Sequence, residues 1–311
     1  MSTMRGSDEK VIAIFVADSH FSLNPPVWRS AEPDWFEAMK RPLDEINRIA
    51  TENNCPVIAA GDIFDRWNSP PELINFAIES LPESMYAIPG QHDLALHQFE
   101  DIKRSAFWTL VKAGTITPLF PNKPIQTNNL ILHGFPFGFS LSSIPAMDDG
   151  KIHIAVVHDY IWIPNYCYPN APQEKRLKTD ERDDENFYYG YDIIVYGDNH
   201  KGFLTQAGRT SIFNCGAMMR RKSDEADYQP QIGLLLESGE IKRHYLDISK
   251  DKYLESSKGK QTHQLDTTAF MQELEKLGKS ALDFSDAIKQ YFETNKVDLE
   301  IQKVILEAMG K

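Results

Sequence analysis

The sequence predicts an α/β protein: two packed mixed β-sheets flanked by helices, with a small helical region at the C-terminal end. Three observations carry this. Within the first 93 residues, three short apolar, β-rich runs alternate with two amphipathic stretches, which reads as βαβ units around a largely parallel core. From Thr115 onward, short apolar runs separated by turn residues dominate, the pattern of a second sheet. After about Asp251 the chain turns polar and then amphipathic at helical spacing.

Taken in order, Val11 to Ala17 is the first buried strand, and it ends in Asp18-Ser19-His20. A loop rich in proline and aromatics runs to about Arg29. Asp34 to Asn53 reads as a helix with Phe36, Met39, Leu43, Ile46 and Ala50 on one face, kinked or split at Pro42. Val57 to Ala60 is a strand buried on both faces. Gly61 turns the backbone sharply and presents Asp62 where open α/β sheets place their ligands. Ser69, a proline at the first helical position and Glu72 mark a helix start, and the helix runs from Pro71 to Leu81. Met85 to Ile88 is the third strand, ending in Pro89-Gly90-Gln91-His92-Asp93.

The later strands are Asn129 to His133, Lys151 to Val157, Asp192 to Tyr196, Phe203 to Gln206, Thr210 to Phe213, Gln231 to Leu236 and Glu240 to Leu246. Between Tyr160 and Tyr189 lies an irregular insertion. It opens with Tyr160, Trp162, Tyr166 and Tyr168 and continues with the acids Asp180, Glu181, Asp183, Asp184 and Glu185. Such length without periodicity suggests a functional or partly disordered loop. Residues 1–250 read as the main domain, 251–263 as a linker and 264–311 as a helical capping or partner-binding region. Its three stripes are Phe270, Leu274, Leu277; Phe284, Ile288, Tyr291, Phe292; and Ile301, Val304, Ile305, Ala308, with Asp298 as an N-cap.

Composition narrows the class. With 41% hydrophobic and 25% charged residues, the chain is an ordinary globular protein, and no apolar run is long enough for a membrane span. Three widely spaced cysteines (Cys55, Cys167, Cys215) point to free thiols and a cytoplasmic location. The net charge of −12 argues against a stand-alone nucleic-acid binder, although Arg220-Arg221-Lys222 and Lys242-Arg243 are locally basic.

Five short clusters stand at or just after strand ends: Asp18 with His20; Asp62 with Asp65; Gln91, His92 and Asp93; His158; and Asp198 with His200. Together they offer oxygen and imidazole donors without thiolate, a set suited to manganese, iron or zinc. Neither a Walker-type phosphate loop nor a Gly-x-Ser-x-Gly elbow competes with them. His133 precedes Gly134 at a strand end and is read as structural, with an approach to the site as the alternative. His97, His153, His244 and His263 have no motif context.

The order of these motifs resembles that of the calcineurin-like metallophosphoesterases, over roughly residues 11–247. Asp18-Ser19-His20, Gly61-Asp62-Ile63-Phe64-Asp65, Gly90-Gln91-His92-Asp93, His158 and Gly197-Asp198-Asn199-His200 match that family's five motifs in sequence. Within the family, Ala60 to Asp65 followed by Ser69-Pro70-Pro71 looks like the SbcD-like nuclease subunits of double-strand-break repair exonucleases, phage members included. So does Gly197 to Lys201 followed by Asn214-Cys215-Gly216-Ala217. A phage origin implies a bacterial host's cytoplasm.

The resemblance implies a sandwich fold and two divalent ions, manganese first and magnesium, iron or zinc as alternatives. One ion would be held by Asp18, His20, Asp62 and His200, the other by Asp62, Gln91, His158 and Asp198, with Asp62 bridging. His92 would assist the leaving group and Asp93 would orient its ring. Asp65 reads as support behind the ligands or as a substrate contact. Gln91 stands where the family has Asn, and Asp198 where it has His, which makes the second position more oxygen-rich and favours manganese or magnesium. Trp67, Asn68, Tyr160, Arg220, Arg221 and Lys222 are candidate substrate contacts. The implied function is DNA cleavage as the nuclease subunit of an SbcCD-type complex, a homodimer with an SbcC-like coiled-coil ATPase. A small-molecule or nucleotide phosphoesterase is the alternative, and a non-catalytic interaction protein the third reading.

Overall fold

The computed structural model describes residues 9–145, 147–177 and 188–254, together with Phe292 and Gln302. The chain divides into Met1–Leu254 and Glu255–Lys311. Phe292 and Gln302 are helical. The remainder of the expected C-terminal helices, the linker beyond Leu254 and the acids Asp180 to Glu185 lie outside the described residues.

In the first unit, β1 (Val11–Val16), β2 (Val57–Ala59), β3 (Met85–Ala87) and β4 (Thr117–Pro118) pair in parallel. The strands β11 (Gln231–Leu236) and β12 (Ile241–Tyr245) extend this sheet antiparallel beyond β1, in the order β12-β11-β1-β2-β3-β4. The second sheet has the order β5-β6-β7-β8-β10-β9. Its parallel centre is β6 (Leu130–Phe135), β7 (Ile152–His158), β8 (Ile193–Gly197) and β10 (Thr210–Asn214). Its antiparallel edges are β5 (Ile125–Thr127) and β9 (Phe203–Ala207).

Alternation along each strand splits the core in two. Ala13, Phe15 and Ile58 join Ile154, Val156, Ile193, Val195 and Phe213 between the sheets. Ile14, Val16, Val57 and Ala59 join Met39, Leu43, Ile46, Phe76 and Leu110 beneath the helices. Both faces are covered, which is why these strands read as continuous apolar runs. On the second sheet's outer face, loop residues Ile161 and Leu177 do the covering, along with Tyr191.

Helix α1 (Trp35–Asn53) runs unbroken through Pro42, contrary to the expected split. Trp35, Ala38, Met39, Pro42, Leu43, Ile46 and Ile49 are buried along it. Burying large apolar side chains is worth roughly 1.5–3 kcal/mol apiece, enough together to offset the ~3 kcal/mol cost of one interior proline. Asp34 caps it, accepting from Glu37 N at 3.0 Å. Helix α2 (Pro71–Ser80) begins with Pro71 at its first position. Ser69 is not its cap: the hydroxyl donates to Arg66 O at 2.8 Å. Helix α3 (Ala106–Ala113) and the short β4 and β5 escaped sequence reading. Among the described residues, no helix is long and apolar enough to cross a membrane.

Candidate metal centre

Parallel strands place their carboxyl ends along one edge, and the predicted clusters meet there. Asp18 and His20 follow β1, Asp62 follows β2, Gln91 and His92 follow β3, His158 ends β7, and Asp198 and His200 follow β8. The turns after β1 and β2 are zipped together by Asp18 N to Gly61 O (3.0 Å), His20 N to Asp62 O (2.9 Å) and Phe21 N to Ile63 O (2.8 Å). Those bonds hold Asp18, His20 and Asp62 at φ of 51°, 45° and 52°, while Asp198 stands at 87°. Left-handed backbone at a non-glycine residue costs about 1–3 kcal/mol and gathers at functional sites. Gly61 is required by contact as well as by its φ of 96°: a Cβ there would lie 2.2 Å from His158 Nδ1.

The imidazoles are aimed by their second nitrogens. A carbonyl only accepts, so His158 carries its proton at Nδ1 and donates to Ala60 O at 2.6 Å. Its Nε2 then faces Asp62 Oδ2 at 3.4 Å and Gln91 Oε1 at 2.7 Å. Likewise His200 Nδ1 lies 3.3 Å from Glu225 Oε1, turning Nε2 toward His20 Nε2 at 3.1 Å. Asp18 accepts from Asp198 N with both oxygens at 3.1 Å. Gln91 Nε2 donates to Asp198 Oδ1 at 2.7 Å.

Burial pushes the Asp18 carboxyl up to about 7, with His200 and His158 acting against it. Burial alone would lower His158, yet Asp62, Asp18 and Asp198 together hold it up at about 10. Burial drives His20 well below the ordinary imidazole value. Asp62 is held well below the carboxylate range despite its burial, by His158, His20 and His92.

The donor set fits divalent cations. Three groups have ligand atoms mutually within 4.8 Å: Asp18, His20 and His200; Asp18, Asp62 and His158; His20, Asp62 and His92. Two imidazole nitrogens face one another at 3.1 Å. His20 Nδ1 is buried, has no hydrogen-bond partner among the described residues and lies 3.7 Å from Asp65 Oδ1. Oxygen and imidazole donors without thiolate suit borderline and hard first-row ions.

Two expected roles change. Asp93 does not orient His92: its carboxylate accepts from the backbone N–H of Ile63, Phe64 and Gly90 at 3.0–3.1 Å, tying the β2 and β3 turns together. The His92 ring is held instead by Asp65 O, 2.8 Å from Nδ1, and stands edge-on to His20 with centroids 4.9 Å apart. Arg220 is drawn away, its Nε donating to Tyr228 O and its carbonyl accepting from Arg29 Nη1.

Other candidates line a cavity of about 400 Å³ over the cluster, among them Asp65, Tyr160, Arg221 and Lys222. Asp65 pairs with Arg221 Nη1 at 2.8 Å. Asn68 lines an adjoining cavity that also reaches Asp65. Trp67 lies beneath the Arg104 guanidinium, 5.7 Å from its ring centroid. His133 pairs with His153 at 3.3 Å, apart from the cluster.

Two residues escaped sequence reading. Glu225 is buried behind His200 and also accepts from Arg221 N at 2.6 Å and Lys222 N at 3.1 Å. Tyr168 lines the main cavity. Glu225 follows an ordinary Ser-Asp pair, and Tyr168 is one aromatic among several, so neither carried a motif signal.

Comparisons with known proteins bear on this arrangement. Among solved structures, a novel archaeal phosphodiesterase is similar at 14% identity, covering 75% of this chain and 99% of that one, with a TM-score of 0.39. A putative 5′-nucleotidase from Staphylococcus aureus is 13% identical over 76% of this chain and 53% of its own, with a TM-score of 0.42. A metallophosphoesterase from Sphaerobacter thermophilus is 11% identical over 78% and 91%, with a TM-score of 0.35. Likenesses this distant say nothing of substrate. No curated protein matches the chain. The model of the calcineurin-like phosphoesterases matches residues 13–202, from β1 through the Asp198–His200 turn, and so spans every strand end that feeds the cluster. The chain therefore belongs to the calcineurin-like phosphoesterases.

Proposed function

We propose that this phosphoester hydrolase is a divalent-metal-dependent DNA phosphodiesterase, the nuclease subunit of an SbcCD-type complex. One observation carries the reading: the buried carboxylate–imidazole cluster opens into a cavity whose lining also holds Arg221 and Lys222. A phosphodiester can then be gripped by cations while its phosphorus faces the cluster.

Asp18, His20, Asp62 and His200 would hold one ion, and Asp62, Gln91, His158 and Asp198 the other. Bound there, the ions would supply Lewis-acid screening of the phosphate and acidify the attacking water. The chain's own residues do the rest. Arg221 and Lys222 hold non-bridging oxygens. His92, fixed through Nδ1 by Asp65 O, offers Nε2 to the leaving oxygen as proton donor. Gln91 and Asp198 bring two oxygen donors to the second position, supporting manganese or magnesium. The net charge of −12 supports dependence on a partner for DNA grip, here an SbcC-like ATPase acting with a dimer of this chain.

The test is degradation of linear DNA with Mn²⁺, by the chain alone and with the ATPase. Manganese-dependent cleavage abolished in His92→Ala is the expected result. Hydrolysis of a chromogenic nucleotide ester with DNA left intact would replace the reading with a small-molecule phosphoesterase. Failure to bind any divalent ion would leave a non-catalytic scaffold.

A further inference from the structure

The cavity over the cluster is lined by two phenol rings as well as by cations. Tyr160 and Tyr168 both lie in the irregular segment after β7, and the chain fastens that segment firmly. Asn199, fully buried, donates from Nδ2 to Ile161 O and Tyr166 O, each at 2.8 Å. Lys201 Nζ donates to Cys167 O at 2.8 Å and lies 4.9 Å from the Tyr168 ring centroid. Tyr168 N donates to Tyr160 Oη at 3.3 Å, linking the two rings. Asn199 stands between Asp198 and His200, so one turn presents two candidate metal ligands and anchors the aromatic segment beside them. The rings are thereby preorganised at the reacting centre.

Both rings are half-buried, and among the described residues neither phenol O–H donates a hydrogen bond. A tyrosine face beside a guanidinium and an ammonium is the chemistry that holds a nucleobase together with its phosphate. The space, about 400 Å³, is that of a small-ligand pocket. A base reaches an aromatic face in such a pocket only when it has left its own stack.

Resting on the phosphodiesterase reading above, we propose that Tyr160 and Tyr168 form a base-stacking subsite, so that the chain takes an unpaired nucleotide of a single strand. Arg221 and Lys222 hold the adjoining phosphate. Because every base has a π-face, the subsite reads the presence of a base and not its identity.

The test compares three probes on the full-length chain: a short thymidine strand, an abasic strand with the same number of phosphates, and a blunt duplex. Hydrolysis is followed with Mn²⁺ and equilibrium binding with Ca²⁺ in its place. The thymidine strand should exceed the abasic strand by about tenfold or more, in both kcat/KM and affinity. Tyr168→Leu should bring that ratio close to one, while Tyr168→Phe, which keeps the ring, should retain it. A ratio of one in the unaltered chain, an unchanged ratio in Tyr168→Leu, or equal binding of the duplex overturns the proposal. If no probe is hydrolysed, the phosphodiesterase reading fails, and the binding ratio still decides the subsite.

Discussion

Glu225 makes a testable bridge between the metal centre and the cationic wall. Its Oε1 faces His200 Nδ1 at 3.3 Å, and its Oε2 accepts from Arg221 N at 2.6 Å and Lys222 N at 3.1 Å. In Glu225→Gln, the amide oxygen can keep the backbone bonds, but the Nε2 donor then faces the His200 Nδ1–H. Two donors cannot pair, so the His200 proton moves to Nε2, the atom that would face a cation held with Asp18 and His20. Loss of such an outer carboxylate costs about 10–100-fold in metal affinity, or roughly 1.4–2.7 kcal/mol. In Glu225→Ala the same loss is joined by that of the acceptor for the N–H groups of half-buried Arg221 and exposed Lys222, each bond worth about 0.5–1.5 kcal/mol of stability. The assay is calorimetric titration of Mn²⁺ into chelator-stripped protein, with the metal-free Tm measured alongside. Glu225→Gln should weaken binding with little change in Tm, and Glu225→Ala should lower both. Unchanged Mn²⁺ affinity in Glu225→Gln would refute the reasoning.

The remaining predictions concern stability. Gly61→Ala must adopt φ of 96° and push against His158, so it should cost about 3 kcal/mol in urea unfolding. Gly138→Ala, at φ of 88° with open space around it, should cost only about 1 kcal/mol. Glu32 sits buried between Arg29 (2.6 Å) and Arg41 (2.9 Å), so Glu32→Gln should cost about 3 kcal/mol at neutral pH. Burial alone would raise the Glu32 carboxyl, but hydrogen bonds from Lys252 N, Arg29 and Arg41 hold it below its ordinary 4.5. Its contribution is therefore full above pH 4.5 and is lost as pH falls through the depressed folded value. Urea midpoints taken from about pH 7 to about pH 3.5 should show the gap between the unaltered chain and Glu32→Gln closing only below pH 4.5.

The sheets and most members of the carboxylate–imidazole cluster were legible because they depend on local signals. A short apolar run says strand, and a glycine with a carboxylate after it says strand end, as at Gly61-Asp62 after β2 and Gly197-Asp198 after β8. What stayed hidden depends on contacts between distant residues. Pro42 looked like a break because propensity is local, whereas the burial that overrides it comes from β-strands elsewhere in the chain. Asp93 looked like the partner of its neighbour His92, yet its oxygens turn toward N–H groups of Ile63, Phe64 and Gly90. Glu225 meets His200 across 25 residues, and no spacing rule reaches that far.

The two positions that depart from the family's motifs illustrate the same point with a different outcome. Gln91 and Asp198 are 107 residues apart and read in the sequence as two separate changes, each making the second position more oxygen-rich. In the fold they are partners: Gln91 Nε2 donates to Asp198 Oδ1 at 2.7 Å, and Gln91 Oε1 turns to His158 Nε2 at 2.7 Å. A carboxylate is shorter than the imidazole the resemblance leads one to expect, and glutamine is one methylene longer than asparagine. The longer amide reaches the shorter acid at 2.7 Å. The carboxylate in turn accepts the amide proton and so fixes which end of Gln91 presents its oxygen to the cluster. The two departures are thus linked in the fold, and together they keep an oxygen donor beside His158.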